Sequence, residues 1–363
     1  MKLRYCTRCC QPDTRPKIIF KNGICGACLW EEEKKHIDWD KRSMELAGIA
    51  EWAKSLNRSY DCVVGVSGGK DTTYQALYAR DTLGLRCLLV NGEPDEITDI
   101  GAKNIENLKK LGFDTISIRP NPKIIKQLVK KDFYEYLNPV KVTEFSLWAS
   151  AYIIAEKFNI PLIIQGENPA LTLGVDMPQD DNALNADMQN TLKDVWERYI
   201  GNGITEKDLF MFHYNRNFDV RAIWLNYYNR DWSPWRNVEF SIEHGLTIME
   251  GILGEEIGTF SCISSLDSSL VQVNQMLKYY KFGFGLCTDH ACYSIREGRL
   301  TREDAFWFVE KYDGKCAPEY IEKFCEYIEI SEVEFWEVVD KFVNRELFYK
   351  EEDKWVKKFQ YGH

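Results

Sequence analysis

The chain of 363 residues is too long for one ordinary core, and its 45% apolar and 13% aromatic content supports packed domains rather than disorder. No apolar run approaches the roughly 18 residues that span a bilayer, which excludes membrane insertion; the start, Met1-Lys2-Leu3-Arg4-Tyr5-Cys6, lacks the apolar core of a signal peptide, so a cytoplasmic protein is expected. The formal net charge of −10 opposes nucleic-acid binding, and twelve cysteines in so long a chain read as reduced thiols rather than a disulfide scaffold.

Cys6-x2-Cys9 and Cys25-x2-Cys28, fifteen residues apart, match the pattern in which two tight turns bring four thiolates into a tetrahedron. Turn-formers Pro12–Pro16 and Lys21-Asn22-Gly23 flank a short strand at Ile18-Ile19-Phe20, the layout of a small zinc ribbon at 1–40. Four thiolates leave no open position, so Zn²⁺ there is structural. An iron–sulfur cluster and unliganded thiols are the alternatives. Cys10 can stand in for Cys9, but the spacing favours Cys9. Residues 1–30 carry six basic side chains against Asp13, a local excess of +5 that keeps an RNA-binding reading open. Residues 29–58 read as helix.

The stretch Asp61–Val66 is a β-branched strand that runs into Ser67-Gly68-Gly69 and then a helix from Asp71 to Leu83. Glycines let backbone approach an anion, and helix N-terminal N–H groups point at it, so this is a phosphate cradle; a ligand-free glycine turn is the bland alternative. Lys70 adds a cation, and Ser67 and Thr72 add hydroxyls. Asp71 suits Mg²⁺, or serves simply as a helix N-terminal charge. A Walker loop needs Gly-x4-Gly-Lys-[Ser/Thr]; here Gly65 stands one position too close to Gly69-Lys70 and Asp71 follows the lysine, so the match fails.

Strands at 86–91, 115–118 and 161–168 alternate with helices at 97–111, 122–136 and 144–158. Near-continuous apolar strands between helices predict an α/β fold, a parallel sheet covered on both faces. Ligands of such sheets sit at the strands' carboxyl ends, which singles out Ser67–Thr72, Asn91-Gly92-Glu93 and Gln165-Gly166-Glu167-Asn168. Pro169 to Asn190, with Asp176, Asp180, Asp181 and Asp187, reads as a long loop over that site. A last strand is expected at 222–228. Trp232 and Trp235, among Asn229, Arg230 and Arg236, suit either a sugar face or the core. The tail reads as all-helical, with helices starting at Thr301, Pro318 and Ser331. Lys281, Arg296 and Arg302 suit phosphates or helix pairing, and His290 reads as a packed or capping histidine more readily than a catalyst.

Ser67-Gly68-Gly69-Lys70-Asp71-Thr72 resembles the pyrophosphate loop of the ATP pyrophosphatases, with Thr72 in place of the usual serine. That resemblance implies ATP with its β and γ phosphates in the loop, and attack on the α phosphorus. It also implies a HUP-like (adenine nucleotide alpha hydrolase-like) sheet domain, here 41–265, with Gly65, Ser67, Gly68, Gly69, Lys70, Asp71, Thr72, Asn91 and Gly166 as nucleotide-binding residues. The four-cysteine start, Gly65–Asp71, Gln165–Asn168, Lys281-Phe282-Gly283-Phe284-Gly285, Thr288-Asp289 and Ile295-Arg296-x-Gly298-x3-Arg302-Glu303 together are similar, in collinear order, to the N-acetyl sugar amidotransferase family of bacterial surface-glycan pathways. The departures are Thr72, Cys10 and the Ser261–Asp267 segment.

This resemblance implies conversion of an acetamido group, on a sugar or nucleotide sugar, to acetamidino. Its oxygen would take AMP, pyrophosphate would leave, and ammonia would displace AMP. The implied catalytic residues are Lys70, Asp71 and Glu167, the last orienting ammonia or Mg²⁺ or held in a buried salt bridge. No glutaminase signature is evident in the chain, so glutaminase and cyclase-like partner subunits are expected to supply ammonia. A helical domain is expected at 266–363. The competing readings are a tRNA-thiolating enzyme, using cysteines such as Cys87, Cys262, Cys287 and Cys292, and a nucleotide-binding regulatory module.

Overall fold

Strands β3 (Cys62–Gly65), β4 (Cys87–Gly92), β5 (Asp114–Ile118), β6 (Leu162–Gln165) and β7 (Arg221–Trp224) form one parallel sheet in the order β5-β4-β3-β6-β7. The computed structural model describes residues 3–176, 195, 197–215, 217–352 and 354–362. The acidic loop expected to run to Asn190 therefore lies, beyond Asp176, outside the described residues.

Alternation sends successive side chains to opposite faces. Val63, Leu88, Val90 and Ile163 enter one core with helices α5 (Pro122–Tyr136) and α6 (Lys141–Phe158); Cys62, Val64, Leu89 and Ile164 enter the other with α2 (Trp39–Ser55), α3 (Lys70–Leu77) and α4 (Asp99–Lys110). Both faces are covered, which is why the central strands β3, β4 and β6 are mostly apolar.

Preceding the sheet, β1 (Phe20–Lys21) and β2 (Ile24–Cys25) form a two-residue hairpin that feeds α1 (Gly26–Glu33). The helix expected at 29–58 is in fact two, α1 and α2. Asp38 breaks it, its carboxylate accepting from Lys41 N as the N-cap of α2. The strand expected at 18–20 is shorter too, since Ile18 bridges to Val175 and Ile19 N donates to Gly174 O. After α7 (Pro169–Thr172), the strand expected at 222–228 ends at Trp224 and turns into α8 (Leu225–Tyr228).

The remaining helices are α9 (Pro234–Glu243), α10 (Gly254–Ile257), α11 (Leu270–Phe282), α12 (Leu286–Arg296), α13 (Arg302–Tyr312), α14 (Pro318–Ile328) and α15 (Glu332–Phe342). Thr301 and Ser331 cap their helices by accepting from Asp304 N and Glu334 N, as the sequence pattern predicts. The tail is not all-helical. Strands β8 (Phe348–Glu351) and β9 (Lys354–Lys357) form an antiparallel hairpin whose charged residues hid it. The tail shares the sheet's first core: Phe133 of α5 stacks on Phe335 of α15 at 5.2 Å and meets Phe324 of α14 edge-on at 5.1 Å. No helix among the described residues is long and apolar enough to cross a membrane.

Candidate active site

The strand order reverses between β3 and β6, so the crevice at their carboxyl ends is where an open parallel sheet offers room to a ligand. The chain leaves β3 through Ser67-Gly68-Gly69 into α3. Gly68 has φ +79, and a Cβ there would fall 3.0 Å from Gly101 O and 3.1 Å from Asn104 Cβ, so backbone and space both demand glycine. Gly69, the N-cap of α3, has no side chain to engage the helix's first N–H groups, which leaves them for an anion.

Helix α9 fixes this turn. Ser241 Oγ donates to Lys70 O at 2.8 Å, and Asn237 Nδ2 donates to Asp71 Oδ1 at 2.8 Å. The other Asp71 oxygen accepts from Lys70 Nζ at 2.7 Å, so the carboxylate aims the ammonium. Thr72 Oγ1 donates to Gly69 O at 3.2 Å, as does Thr73 Oγ1 at 3.0 Å; these hydroxyl protons brace the loop.

Gly166, just past β6, is held against Gln75 and Trp232: a Cβ would stand 2.7 Å from Gln75 Oε1 and 3.0 Å from the indole ring. Gln75 cannot yield, because its Nε2 donates to Ile164 O. Glu167 follows and enters a cavity of about 270 Å³ with Lys70, Trp235, Ser264, Gln275, His290 and Tyr293. Tyr293 Oη donates to Glu167 Oε1 at 3.1 Å. Burial, then the nearby Asp71 charge, raises the Glu167 pKa; Thr172, Lys70 and Tyr293 oppose the rise. A carboxyl so placed is suited to exchanging a proton nearer neutrality than an exposed glutamate.

His290 also reaches the cavity. Its Nδ1 lies 2.7 Å from Thr259 Oγ1 and 2.8 Å from Ser261 Oγ, and its Nε2 lies 2.9 Å from Ser264 Oγ. Burial and the Lys70 charge push its pKa down to about 3, so it is a neutral imidazole at working pH. The packed-histidine reading describes its hydrogen bonding, but not its position in the cavity wall.

Of the expected site residues, Lys70 and Glu167 line the cavity, and Asp71 stands beside them through Lys70. Asn91 does not line it; it is buried in the sheet, its Nδ2 3.5 Å from Ser117 Oγ of the neighbouring strand. Trp235 does line it, its Nε1 donating to Ser294 Oγ at 3.0 Å, whereas Trp232 is core and packs edge-on to Tyr74. The three basic residues of the tail are spent on carbonyls: Lys281 on Tyr136 and Leu137, Arg296 on Thr172, and Arg302 on Cys9 and Cys6. None of Cys87, Cys262, Cys287 and Cys292 lines the cavity. Burial pushes the Cys287 and Cys292 thiols up, away from the nucleophilic thiolate. The residues the sequence did not single out are Tyr293, Ser264, Gln275 and Asn237. The last had a signal, a polar side chain on the apolar stripe of α9.

At the chain's start the Sγ atoms of Cys6, Cys9, Cys25 and Cys28 lie within 4.8 Å of one another, all buried. Cys9 and Cys25 Sγ are 3.6 Å apart, against the roughly 3.8 Å sulfur–sulfur edge of a tetrahedron with 2.3 Å metal–sulfur bonds. Cys25 N donates to Cys6 Sγ at 3.3 Å, a bond that steadies a thiolate ligand. Cys10 is not in the set. Its Sγ lies 3.5 Å from Cys292 Sγ of α12.

The same helix clamps the ribbon a second way. Asp289 pairs with Arg15 and, at 2.7 Å, with Lys278 Nζ of α11, and both cations lie over Phe284, at 4.6 and 5.1 Å from its centroid. Arg4 pairs with Asp13 and Arg8 with Glu32, so three of the ribbon's cations are committed internally.

Residues 256–360 match the family described as "LPS biosynthesis protein WbpG-like, C-terminal domain". No curated protein matches the chain. Among solved structures, NMN synthetase from Francisella tularensis aligns at 17% identity and a TM-score of 0.29, covering 38% of this chain and 57% of that one. The NAD+ synthetase from Burkholderia pseudomallei aligns at 13% identity and a TM-score of 0.29, over 55% of this chain and 78% of that one. This chain thus spans little more than half the length of the first.

Proposed function

We propose that the protein is an ATP-dependent amidotransferase that converts a sugar acetamido group to acetamidino through an adenylated imidate, releasing AMP and pyrophosphate, in bacterial surface-polysaccharide synthesis. One observation carries the reading. The phosphate loop's Lys70 and the sheet's Glu167 share one cavity with Ser264, His290 and Tyr293, all from the segment that resembles a lipopolysaccharide-biosynthesis protein.

The reading gives each residue a role. The loop and the first turn of α3 bind the β and γ phosphates, and Lys70 neutralises charge growing on the departing pyrophosphate. Asp71 positions Lys70. Glu167 takes a proton from the incoming ammonia, and Asp71 or Glu167 would hold a Mg²⁺ bound with ATP, which would supply charge neutralisation. Neutral His290 orients Ser264. Ammonia reaches the site from a glutaminase-type partner, because the chain has no evident glutaminase of its own.

The test is pyrophosphate release from ATP with a panel of acetamido sugars and an ammonium salt. A responsive sugar should yield a product lighter by the difference between O and NH, read by mass spectrometry. If no sugar stimulates release, the amidotransferase reading fails.

The four ribbon thiols would hold Zn²⁺, which there supplies cross-linking rather than catalysis. One zinc per chain is expected by elemental analysis. Prolonged chelation should lower the melting temperature and expose the four thiols to alkylation. A metal-free preparation that melts like the untreated protein contradicts this assignment.

A further inference from the structure

Three hydroxyls converge on the imidazole of His290. Thr259 Oγ1 lies 2.7 Å and Ser261 Oγ 2.8 Å from its Nδ1, and both residues are buried, at 1% and 7% exposure. Ser264 Oγ lies 2.9 Å from Nε2. Ser264 is half-buried and lines the cavity that holds Lys70 and Glu167, whereas Thr259 and Ser261 do not line it. Phe260 meets the ring edge-on at 6.3 Å and in turn stacks on Trp235 of the cavity wall, so the imidazole is braced from the side.

The hydroxyls decide where the ring keeps its proton. A neutral imidazole has one N–H and one lone pair, and each hydroxyl needs an acceptor for its own proton. Among the described residues, neither Thr259 nor Ser261 makes another side-chain hydrogen bond. With the ring proton on Nδ1, both of these buried hydroxyl protons would lack an acceptor. With it on Nε2, Nδ1 accepts from one of them and Nε2–H donates to Ser264 Oγ. Buried polar groups are nearly always paired, so the surroundings favour the second form. Ser264 then accepts from the ring and keeps its own proton to give. No other described residue is bonded to that hydroxyl, so the donor is open to the cavity.

Its neighbours narrow what this donor meets. Lys70 is held by Asp71 beside the phosphate loop, Tyr293 Oη donates to Glu167, and Asp289 is paired with Arg15 and Lys278. Ser264 is a neutral donor with no such commitment. A hydrogen bond from it to the acetamido oxygen would occupy a lone pair that has to attack phosphorus. The α-phosphoryl oxygens, by contrast, carry negative charge through both halves of the reaction and gain more as AMP departs, which is where a preorganised donor has its effect. A neutral hydroxyl also holds the AMP product less tightly than a second ammonium would.

We propose that Ser264 is a catalytic hydrogen-bond donor, its hydroxyl aimed by His290 at the α-phosphoryl oxygens of ATP and then of the departing AMP. In the second half-reaction the ammonia nitrogen bonds to the imidate carbon, the carbon–oxygen bond to AMP breaks, and its electron pair stays on the AMP oxygen. Glu167 takes the ammonia proton. Ser264 keeps its own proton throughout and stabilises the growing charge by hydrogen bonding. The identity of the carbon that carries AMP rests on the amidation reading; the ring's tautomer and the phosphate contact do not.

Nitrogen-15 NMR of the histidine-labelled full chain reads the tautomer, with the His290 signals assigned by their loss in His290→Gln. A neutral ring protonated at Nε2 is expected from about pH 6 to 8; protonation at Nδ1, or a charged ring, overturns the proposal. Calorimetric titration of AMP reads the phosphate contact. The wild type should bind AMP, Ser264→Ala about tenfold or more weakly, and Ser264→Thr, which keeps the hydroxyl, within about threefold of wild type. No AMP binding by the wild type, or equal binding by wild type and Ser264→Ala, overturns the proposal. With a sugar that supports turnover, Ser264→Ala should form AMP about 10²–10³ times more slowly while pyrophosphate formation falls less, so that the adenylated sugar accumulates in quenched samples. AMP formation at the wild-type rate overturns the proposal. The two readings fail separately. Ser264-dependent AMP binding without sugar-stimulated pyrophosphate release keeps the donor and removes amidation. Sugar-stimulated release with AMP binding indifferent to Ser264 keeps amidation and removes the donor.

Discussion

Replacing Lys70 with methionine is expected to lower pyrophosphate release by about 10²–10³, the usual cost of removing one preorganised group from a transition state that gains charge. Methionine keeps the length and the apolar stem and removes only the ammonium. The charge on the leaving pyrophosphate grows along the reaction, so the loss should fall on kcat more than on the KM for ATP. Lys70→Arg should not restore the rate, because the ammonium is held as a point charge at 2.7 Å from Asp71 and a planar guanidinium does not occupy the same position. Asp71→Asn separates two roles. If the carboxylate only aims Lys70, activity falls with the same Mg²⁺ requirement; if it also holds the metal, half-saturation moves to higher Mg²⁺. A Lys70→Met enzyme that releases pyrophosphate at the wild-type rate would remove the phosphate loop from the chemistry.

The second large effect falls on stability, at Asp289, which also lines the cavity. Asp289→Asn should destabilise the protein by about 3–5 kcal/mol, since removing one member of a buried ionic cluster leaves its partners uncompensated. Here the partners are two cations, Arg15 and Lys278, left facing each other over Phe284. Burial would raise the Asp289 pKa, but Arg15 and Lys278 outweigh it and bring it down to about 2. The sign follows. A carboxyl with a depressed folded pKa contributes stability that is full above its unfolded value, about 3.9, and is lost as pH falls towards 2. The melting-temperature gap between wild type and Asp289→Asn should therefore be widest above pH 5 and narrow between pH 4 and 2. Adding Lys278→Met to Asp289→Asn should recover part of the loss, because the remaining charge is then Arg15 alone. A gap that is constant across this range would mean that the variant acts through packing rather than charge.

The strand–loop–helix around Ser67–Thr72 is legible in the sequence because every determinant is local: β-branched residues, then glycines, then helix formers. The two cysteine pairs are legible for the same reason. The other half of the cavity is not. His290 and Tyr293 are ordinary residues on a helix, and what makes them part of a site is contact with Glu167, 126 residues from Tyr293. The Arg15–Asp289 pair spans 274 positions, and nothing near either residue announces the other. Asn91 is a different case. It sits at the carboxyl end of a strand, where ligands gather, but its strand lies one place away from the order reversal, and its amide is turned to Ser117. The split of residues 29–58 into two helices turned on Asp38, whose side chain competes with the helix it interrupts. The hairpin at 348–357 pairs Phe-Tyr-Lys-Glu with Lys-Trp-Val-Lys, strands too short and too charged to stand out after the helices before it.

Helix α12 gives the molecule a timetable. It carries His290 and Tyr293 to the cavity and Asp289 and Cys292 to the ribbon, and it emerges from the ribosome some 220 residues after the phosphate loop. At about 5–20 residues per second this is an interval on the order of 10–40 s. Throughout it the nascent chain holds a finished loop but half a cavity, and a ribbon with nothing to clamp it. The cavity can therefore close only after α12 has emerged. For the same reason, a tail exchanged between relatives must bring partners for Arg15 and Cys10 as well as its own reacting groups.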